Sequence, residues 1–170
     1  MKLNRIVMIC AMCTFTLAGV AQTKVIAHRG YWDCEGSAQN SIASLKKAAE
    51  AGVYGSEFDV QMTKDKELVV NHDDSIEGLL IGDTPYSQLK DLKLKNGETL
   101  PTLDDYLKAG KELPQVQLIL EIKPHRTKAE EDEATSIIVR KVKEMQMEKQ
   151  VEYISFSMNI CEQLVKLTPE

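Results

Sequence analysis

Histidine, arginine, lysine and carboxylates recur at the ends of apolar runs along this chain. "KVIAHRG", residues 24–30, passes from strand-like residues directly into His28, Arg29 and Gly30. "SEFDV" sets Glu57 and Asp59 two residues apart, "LILEIKP" does the same with Glu121 and Lys123, and His72 closes "ELVVNHD". Side chains alternate along a strand, so Glu57 and Asp59 share one face while Phe58 and Val60 share the other. Glu121 and Lys123 share a face by the same rule. Taken singly, each feature has a plain explanation: a solvated histidine, a surface Glu-x-Asp pair, one local ion pair. Their convergence changes this. Glu57, Asp59 and Glu121 are flanked by apolar residues, and an ionised carboxylate buried without a partner is costly. Three converging carboxylates would also repel one another. One divalent cation removes both problems, and hard carboxylate oxygens suit Mg²⁺ or Ca²⁺. No cysteine–histidine spacing resembles a zinc site. Arg29 can grip phosphate oxygens in a forked manner and Lys123 can act as a point charge. His28 and His72 can serve as general acid and general base near neutral pH. Together these are the parts needed to cleave a phosphate ester.

The elements that must position these groups alternate between strand and helix. "KVIAH", "YGSEFDVQM", "ELVVNHD", "VQLILEIK" and "VEYISFS" read as strands. "NSIASLKKAAEAG" reads as a helix capped by Asn40 or Ser41, with Gly52 past its end. "LPTLDDYLKAG" reads as a helix with Thr102 as cap and Gly110 as stop. Residues 128–149 form a long charged helix, and "NICEQLVKL" another. Residues 74–100 are less regular, with turn residues around Pro85 and room for one or two helical turns over 87–93. Such alternation, with strands apolar on both faces, predicts a parallel sheet covered by helices. An open doubly wound sheet and an eight-stranded barrel both satisfy it. In either, the C-terminal strand ends gather at one mouth.

The first residues stand apart. A basic start, "MKLNR", precedes the uncharged apolar run "IVMICAMCTFTLAGVA", with Gly19 and Ala21 at the small-residue positions of a cut after Ala21. This is the pattern of a secretory signal peptide over residues 1–21. The run is short for a membrane span of about 20 residues. The expected protein is therefore exported, periplasmic or secreted, without a stable membrane anchor. Val20 stands where a lipoprotein box would need its cysteine, so no lipid anchor is expected. Cleavage would remove Lys2 and Arg5 and no acid, taking the formal net charge from −5 to −7. That balance argues against a nucleic-acid partner.

The ordered motifs resemble the glycerophosphodiester phosphodiesterases. That family's His-Arg-Gly strand end, Pro-Glu-Asn-Thr helix start, Glu-x-Asp strand, His-Asp strand end and Glu-x-Lys strand appear here as "AHRG", "AQNS", "SEFDVQMTKDKELVVNHD" and "LILEIKP". The resemblance covers residues 24 to about 168. It implies a TIM-type (β/α)8 barrel and metal-dependent hydrolysis of glycerophosphodiesters to glycerol 3-phosphate and an alcohol. Carried over, Glu57, Asp59 and Glu121 match metal ligands, His28 and His72 the acid/base pair, and Arg29 and Lys123 phosphate-contacting groups. The implied cofactor is one divalent cation, Mg²⁺ or Ca²⁺, and the implied partner a small glycerophosphodiester. The chain departs from the pattern at Gln39, which supplies no carboxylate. Its length also falls below the roughly 250 residues of a full barrel. The expectation is an incomplete barrel domain over 22–170, with about the first five βα units of a longer protein. Cys34 follows the first strand and Cys161 the fifth. Opposite barrel strands are too far apart for the ~7 Å Cα separation a disulfide needs, so no bridge is expected. A lyase forming a cyclic phosphate, and a catalytically silent binding protein, are the competing readings. Tyr31, Trp32 and Tyr86 are candidate neighbours of the alcohol.

Overall fold

The computed structural model describes residues 23–169. The expected signal peptide, with Cys10 and Cys13, lies outside the described residues. β1 (Ile26–Ala27) is followed by α1 (Ile42–Glu50). After β2 (Gly55–Met62) come β3 (Leu68–Val70), the hairpin of β4 (Ser75–Ile76) and β5 (Leu79–Leu80), a 3₁₀ turn at Ile81–Asp83, α2 (Tyr86–Leu89) and α3 (Leu103–Lys111). β6 (Gln117–Ile122) leads into α4 (Lys128–Glu144), and β7 (Val151–Ile154) into α5 (Met158–Leu167). The main sheet runs β1-β2-β6-β7, with each neighbouring pair parallel. Spatial order thus equals chain order along the parallel strands, with no reversal. A doubly wound sheet reverses at its switch point and a TIM-type barrel does not, so the strand order decides between the two architectures.

Five strands do join this sheet, but the third corrects the expected count of βα units. β3 pairs antiparallel with β2, matching Val60 with Val70 and Met62 with Leu68. The short turn between Met62 and Leu68 leaves no room for the helical crossover that a parallel strand requires. Four βα units are therefore present, with the segment between β2 and α3 inserted in the second. In the β4–β5 hairpin, Glu77 and Gly78 both take positive φ, as a two-residue primed turn demands.

β2 is buried along its whole length. Phe58, Val60 and Met62 face the helices and join Leu118, Leu120, Ile122, Leu45, Leu107 and Ile138 in one core. Phe58 stacks on Tyr106 with ring centroids 4.2 Å apart. A smaller core of Val69, Ile81, Leu89 and Leu100 anchors the insertion, with Tyr86 packed against it. Tyr86 therefore belongs to the insertion's packing rather than to the mouth. Gly110 is not the stop of α3. It lies inside the helix, where a Cβ would come 2.6 Å from Leu118 Cδ1, so glycine lets α3 approach β6. β1 and β7 form the sheet's edges. Val25 and Ile26, expected inside a buried strand, are exposed because nothing among the described residues covers that edge. Cys34 and Cys161 are both free thiols.

Candidate active site

The triad follows from register. Asp59 on β2 and Glu121 on β6 are direct cross-strand partners, and Glu57 lies two residues back on the same face. Their carboxylates each offer an oxygen within 4.8 Å of the others. All three residues are buried, Asp59 completely. Burial, then the Asp59 charge, raise the Glu57 pKa from 4.5 to about 7, against the lowering effect of the Arg29 amide. Glu57 Oε1 is buried with no hydrogen-bond partner. A crowded, desolvated carboxylate cluster with an unused inward oxygen fits a hard divalent cation held by Glu57, Asp59 and Glu121.

Positive groups border the cluster. Lys123 Nζ lies 3.0 Å from Glu121 Oε1 and 3.4 Å from Asp59 Oδ1. Burial works against its ammonium, yet hydrogen bonding and charge from Glu121 and Asp59 hold its pKa above the ordinary lysine value. Arg29 takes a left-handed backbone conformation, φ 57°. That bend lets its N–H donate to Glu57 Oε2 at 2.7 Å. Its guanidinium donates to Gln39 Oε1 at 2.8 Å, and its Nε lies 3.8 Å from Asp59 Oδ2. Gln39, which departs from the family pattern, thus orients Arg29 as a neutral acceptor. Gly30 completes the bend at φ +76°, where a Cβ would fall 2.2 Å from Ser44 Oγ.

The structure places His28 and His72 at the same rim by different routes. His28 Nε2 lies 3.9 Å from Glu57 Oε2, and its side chain is 70% exposed. His72 was expected to arrive on the end of a parallel strand. Instead β2 overshoots the mouth and β3 returns, so that Asn71 N–H donates to the Asp59 carbonyl at 3.0 Å. His72 follows at once, with its Nδ1 2.7 Å from Asp73 Oδ1. Gln61, on the triad's face of β2, donates its side-chain amide to the carbonyls of Asn71, His72 and Asp73 and holds this loop. The third histidine, His125, makes a backbone contact instead. Burial lowers its pKa, and its Nε2 accepts the Met62 N–H.

Two residues escaped sequence reasoning in their main roles. Ser41, not Asn40, caps α1 by accepting the Ser44 N–H at 3.0 Å. Asn40 instead grips Asp59 at both ends: its Nδ2 donates to Asp59 Oδ2 at 2.8 Å and its Oδ1 accepts the Asp59 N–H at 3.1 Å. Gln61 looked like any strand polar residue; its position in the triad's i, i+2 series was the available signal. Beside the cluster, a cavity of about 590 Å³ is lined by residues including Trp32, Gln39, Asn71, Asp73 and Glu77.

The sequence model of the glycerophosphoryl diester phosphodiesterase family matches residues 28–170. The chain belongs to this family. Among curated relatives, it is 38% identical over 106 residues to a glycerophosphodiester phosphodiesterase of Caldanaerobacter subterraneus, covering 59% of this chain and 40% of that protein. Among solved structures, it resembles a glycerophosphodiester phosphodiesterase from Parabacteroides distasonis, with 52% identity, a TM-score of 0.85, and coverage of 86% of this chain and 62% of that one. A phosphodiesterase from Oleispira antarctica, solved with the product sn-glycerol-3-phosphate, is 30% identical with a TM-score of 0.76, covering 87% of this chain and 63% of that one. The chain thus spans less than two thirds of the length of these family members. Its fold is part of the TIM-type barrel of this family.

Proposed function

We propose that this chain carries the catalytic constellation of a metal-dependent glycerophosphodiester phosphodiesterase, which releases glycerol 3-phosphate and an alcohol. The observation that carries this reading is the buried triad Glu57, Asp59 and Glu121, with ligand oxygens within 4.8 Å of one another. In this reading the triad holds one Mg²⁺ or Ca²⁺ ion. Such an ion, when bound, neutralises charge on the phosphoryl oxygens.

The remaining steps belong to the chain's own side chains. Arg29, oriented by Gln39, and Lys123, held between Glu121 and Asp59, bind and orient the phosphate diester. One of His28 and His72 removes the proton from the attacking oxygen, and the other returns a proton to the leaving alcohol. Their exposure at the rim lets both exchange protons with solvent between turnovers. Arg29 and Lys123 also stabilise the charge that grows on the phosphoryl oxygens as the new bond forms. We further propose that the protein is exported, from the pattern of residues 1–21.

The test is release of glycerol 3-phosphate from glycerophosphocholine and glycerophosphoethanolamine by the metal-free protein, before and after addition of Mg²⁺ or Ca²⁺. Cation-dependent release is expected with both ions tried separately. Release unaffected by chelation would overturn the metal reading, and a cyclic phosphate product would overturn the hydrolytic one.

A further inference from the structure

Helix α1 cannot satisfy its own first turn. Ser41 caps the Ser44 N–H, which leaves the amides of Ile42 and Ala43, and α1 carries no acidic residue in its first turn. A distant carboxylate supplies what is missing. Glu98, from the end of the insertion, accepts the Ile42 N–H at 3.0 Å and the Ala43 N–H at 3.2 Å through its two oxygens. Asn96 steadies it: Asn96 Nδ2 donates to Glu98 Oε1 at 3.1 Å, and the Glu98 N–H donates to Asn96 Oδ1 at 3.2 Å. An anion here also meets the positive end of the helix dipole.

Two residues before this capped pair, across Ser41, stands the residue that grips Asp59. Asn40 holds a left-handed backbone, φ 61°, a conformation that asparagine tolerates better than most non-glycine residues. Its N–H donates to the Arg29 carbonyl at 3.1 Å, and its side chain binds both Asp59 Oδ2 and the Asp59 N–H. Asn40 therefore occupies one oxygen of Asp59 and sets the direction of the other. The path runs from Glu98 to the amides of Ile42 and Ala43, along the backbone through Ser41 to Asn40, and from the Asn40 side chain to Asp59.

We propose that Glu98 is a positioning residue for the catalytic centre: by capping α1 from the insertion, it fixes Asn40 and thereby the orientation of the Asp59 carboxylate toward a bound cation. The inference rests on the metal-binding role given to Asp59 above. It assigns to the insertion a part in shaping the site.

Calorimetric titration of the metal-free chain with Mg²⁺ and with Ca²⁺ tests it, using the parent, Asp59→Asn, Asn40→Ala, Glu98→Ala, Glu98→Gln and the double variant Asn40→Ala/Glu98→Ala. Parent binding and its loss in Asp59→Asn establish the site. Glu98→Ala is expected to weaken cation affinity by about tenfold, in the range seen when groups supporting a ligand are removed. Glu98→Gln keeps one acceptor oxygen and should fall between parent and Glu98→Ala. It also decides the matter if Glu98→Ala does not fold. The double variant should bind no more weakly than Asn40→Ala alone, because Glu98 acts through Asn40. Unchanged affinity in the folded Glu98 variants, with lowered melting temperature only, would reduce Glu98 to a stability role and overturn the inference. Additive losses in the double variant would overturn it too. A parent chain that binds neither cation would instead overturn the metal reading itself.

Discussion

At the scale of single residues, the rim and the triad make different demands. His28 is mostly exposed and His72 about one-third exposed, so neither side chain is part of the core. His28→Ala and His72→Ala should each lower turnover by about 10²–10⁴-fold, the usual worth of a positioned acid or base. The melting temperature should stay close to that of the parent. Thermal melts alongside initial rates check both, and a variant with near-parental turnover would remove that histidine from the mechanism. Glu57 makes a different prediction. Its pKa rises on folding from 4.5 to about 7, first through burial and then through the Asp59 charge. The metal-free fold therefore favours the protonated carboxyl. That contribution is fully present below pH 4.5 and is lost as pH rises through about 7. A bound cation reverses the preference by favouring the ionised form. Added Mg²⁺ or Ca²⁺ should thus raise the melting temperature more at about pH 8 than at about pH 5, where protons compete for the ligand. Glu57→Gln should flatten the metal-free pH dependence across this window. Equal stabilisation at both pH values would argue against Glu57 as a ligand.

At the scale of elements, the shared face of Glu57 and Asp59 on β2, and of Glu121 and Lys123 at the end of β6, was legible because strand periodicity is local. Which strands are neighbours, and in which direction, was not. "ELVVNHD" has the same apolar composition whether its strand runs with the sheet or against it, and only the short Thr63–Glu67 turn hints at the reversal. Asn40 was hidden by its own chemistry, since Asn before a helix is a common cap and nothing local shows that Asp59 lies within its reach. Glycines carried a similar ambiguity. Gly110 looked like a helix stop, yet its missing side chain makes room for Leu118. Gly110→Ala should destabilise the fold by about 1–2 kcal/mol, since overpacking a core costs ~1–3 kcal/mol and the helix propensity of alanine returns up to ~1. Gly30→Ala should do more damage. It combines φ +76° with contacts of 2.2 Å to Ser44 Oγ and 2.8 Å to the Ser44 backbone. Ser44 Oγ also donates to the Arg29 carbonyl, so displacing it disturbs the bend that aims Arg29 at Glu57. Urea melts and turnover, read together, separate the two: Gly110→Ala should change stability alone, and Gly30→Ala both. Undiminished activity in a folded Gly30→Ala protein would show that the bend tolerates a side chain.

At the scale of the whole molecule, helices cover the outer face of the sheet, and among the described residues nothing covers its two lateral edges. Val25 and Ile26 are 56% and 44% exposed beside β1, and at the other end Phe156, Met158 and Val165 are 85%, 75% and 75% exposed. Edge strands present unpaired backbone groups, and apolar neighbours make them adhesive. The formal net charge of −5 opposes contact between copies, but salt screens such repulsion within about 10 Å at 0.1 M. The described surface therefore predicts concentration-dependent self-association of this 170-residue chain that strengthens with added salt. Light scattering across a dilution series at two salt concentrations would measure it. Phe156→Asp should weaken the association, because it sets a charge on the most exposed of these apolar side chains. The same substitution should leave the melting temperature of the dilute protein almost unchanged, since an 85% exposed ring contributes little to the core. A chain that stays monomeric at high concentration and high salt would mean that these edges are satisfied in solution by contacts other than self-association.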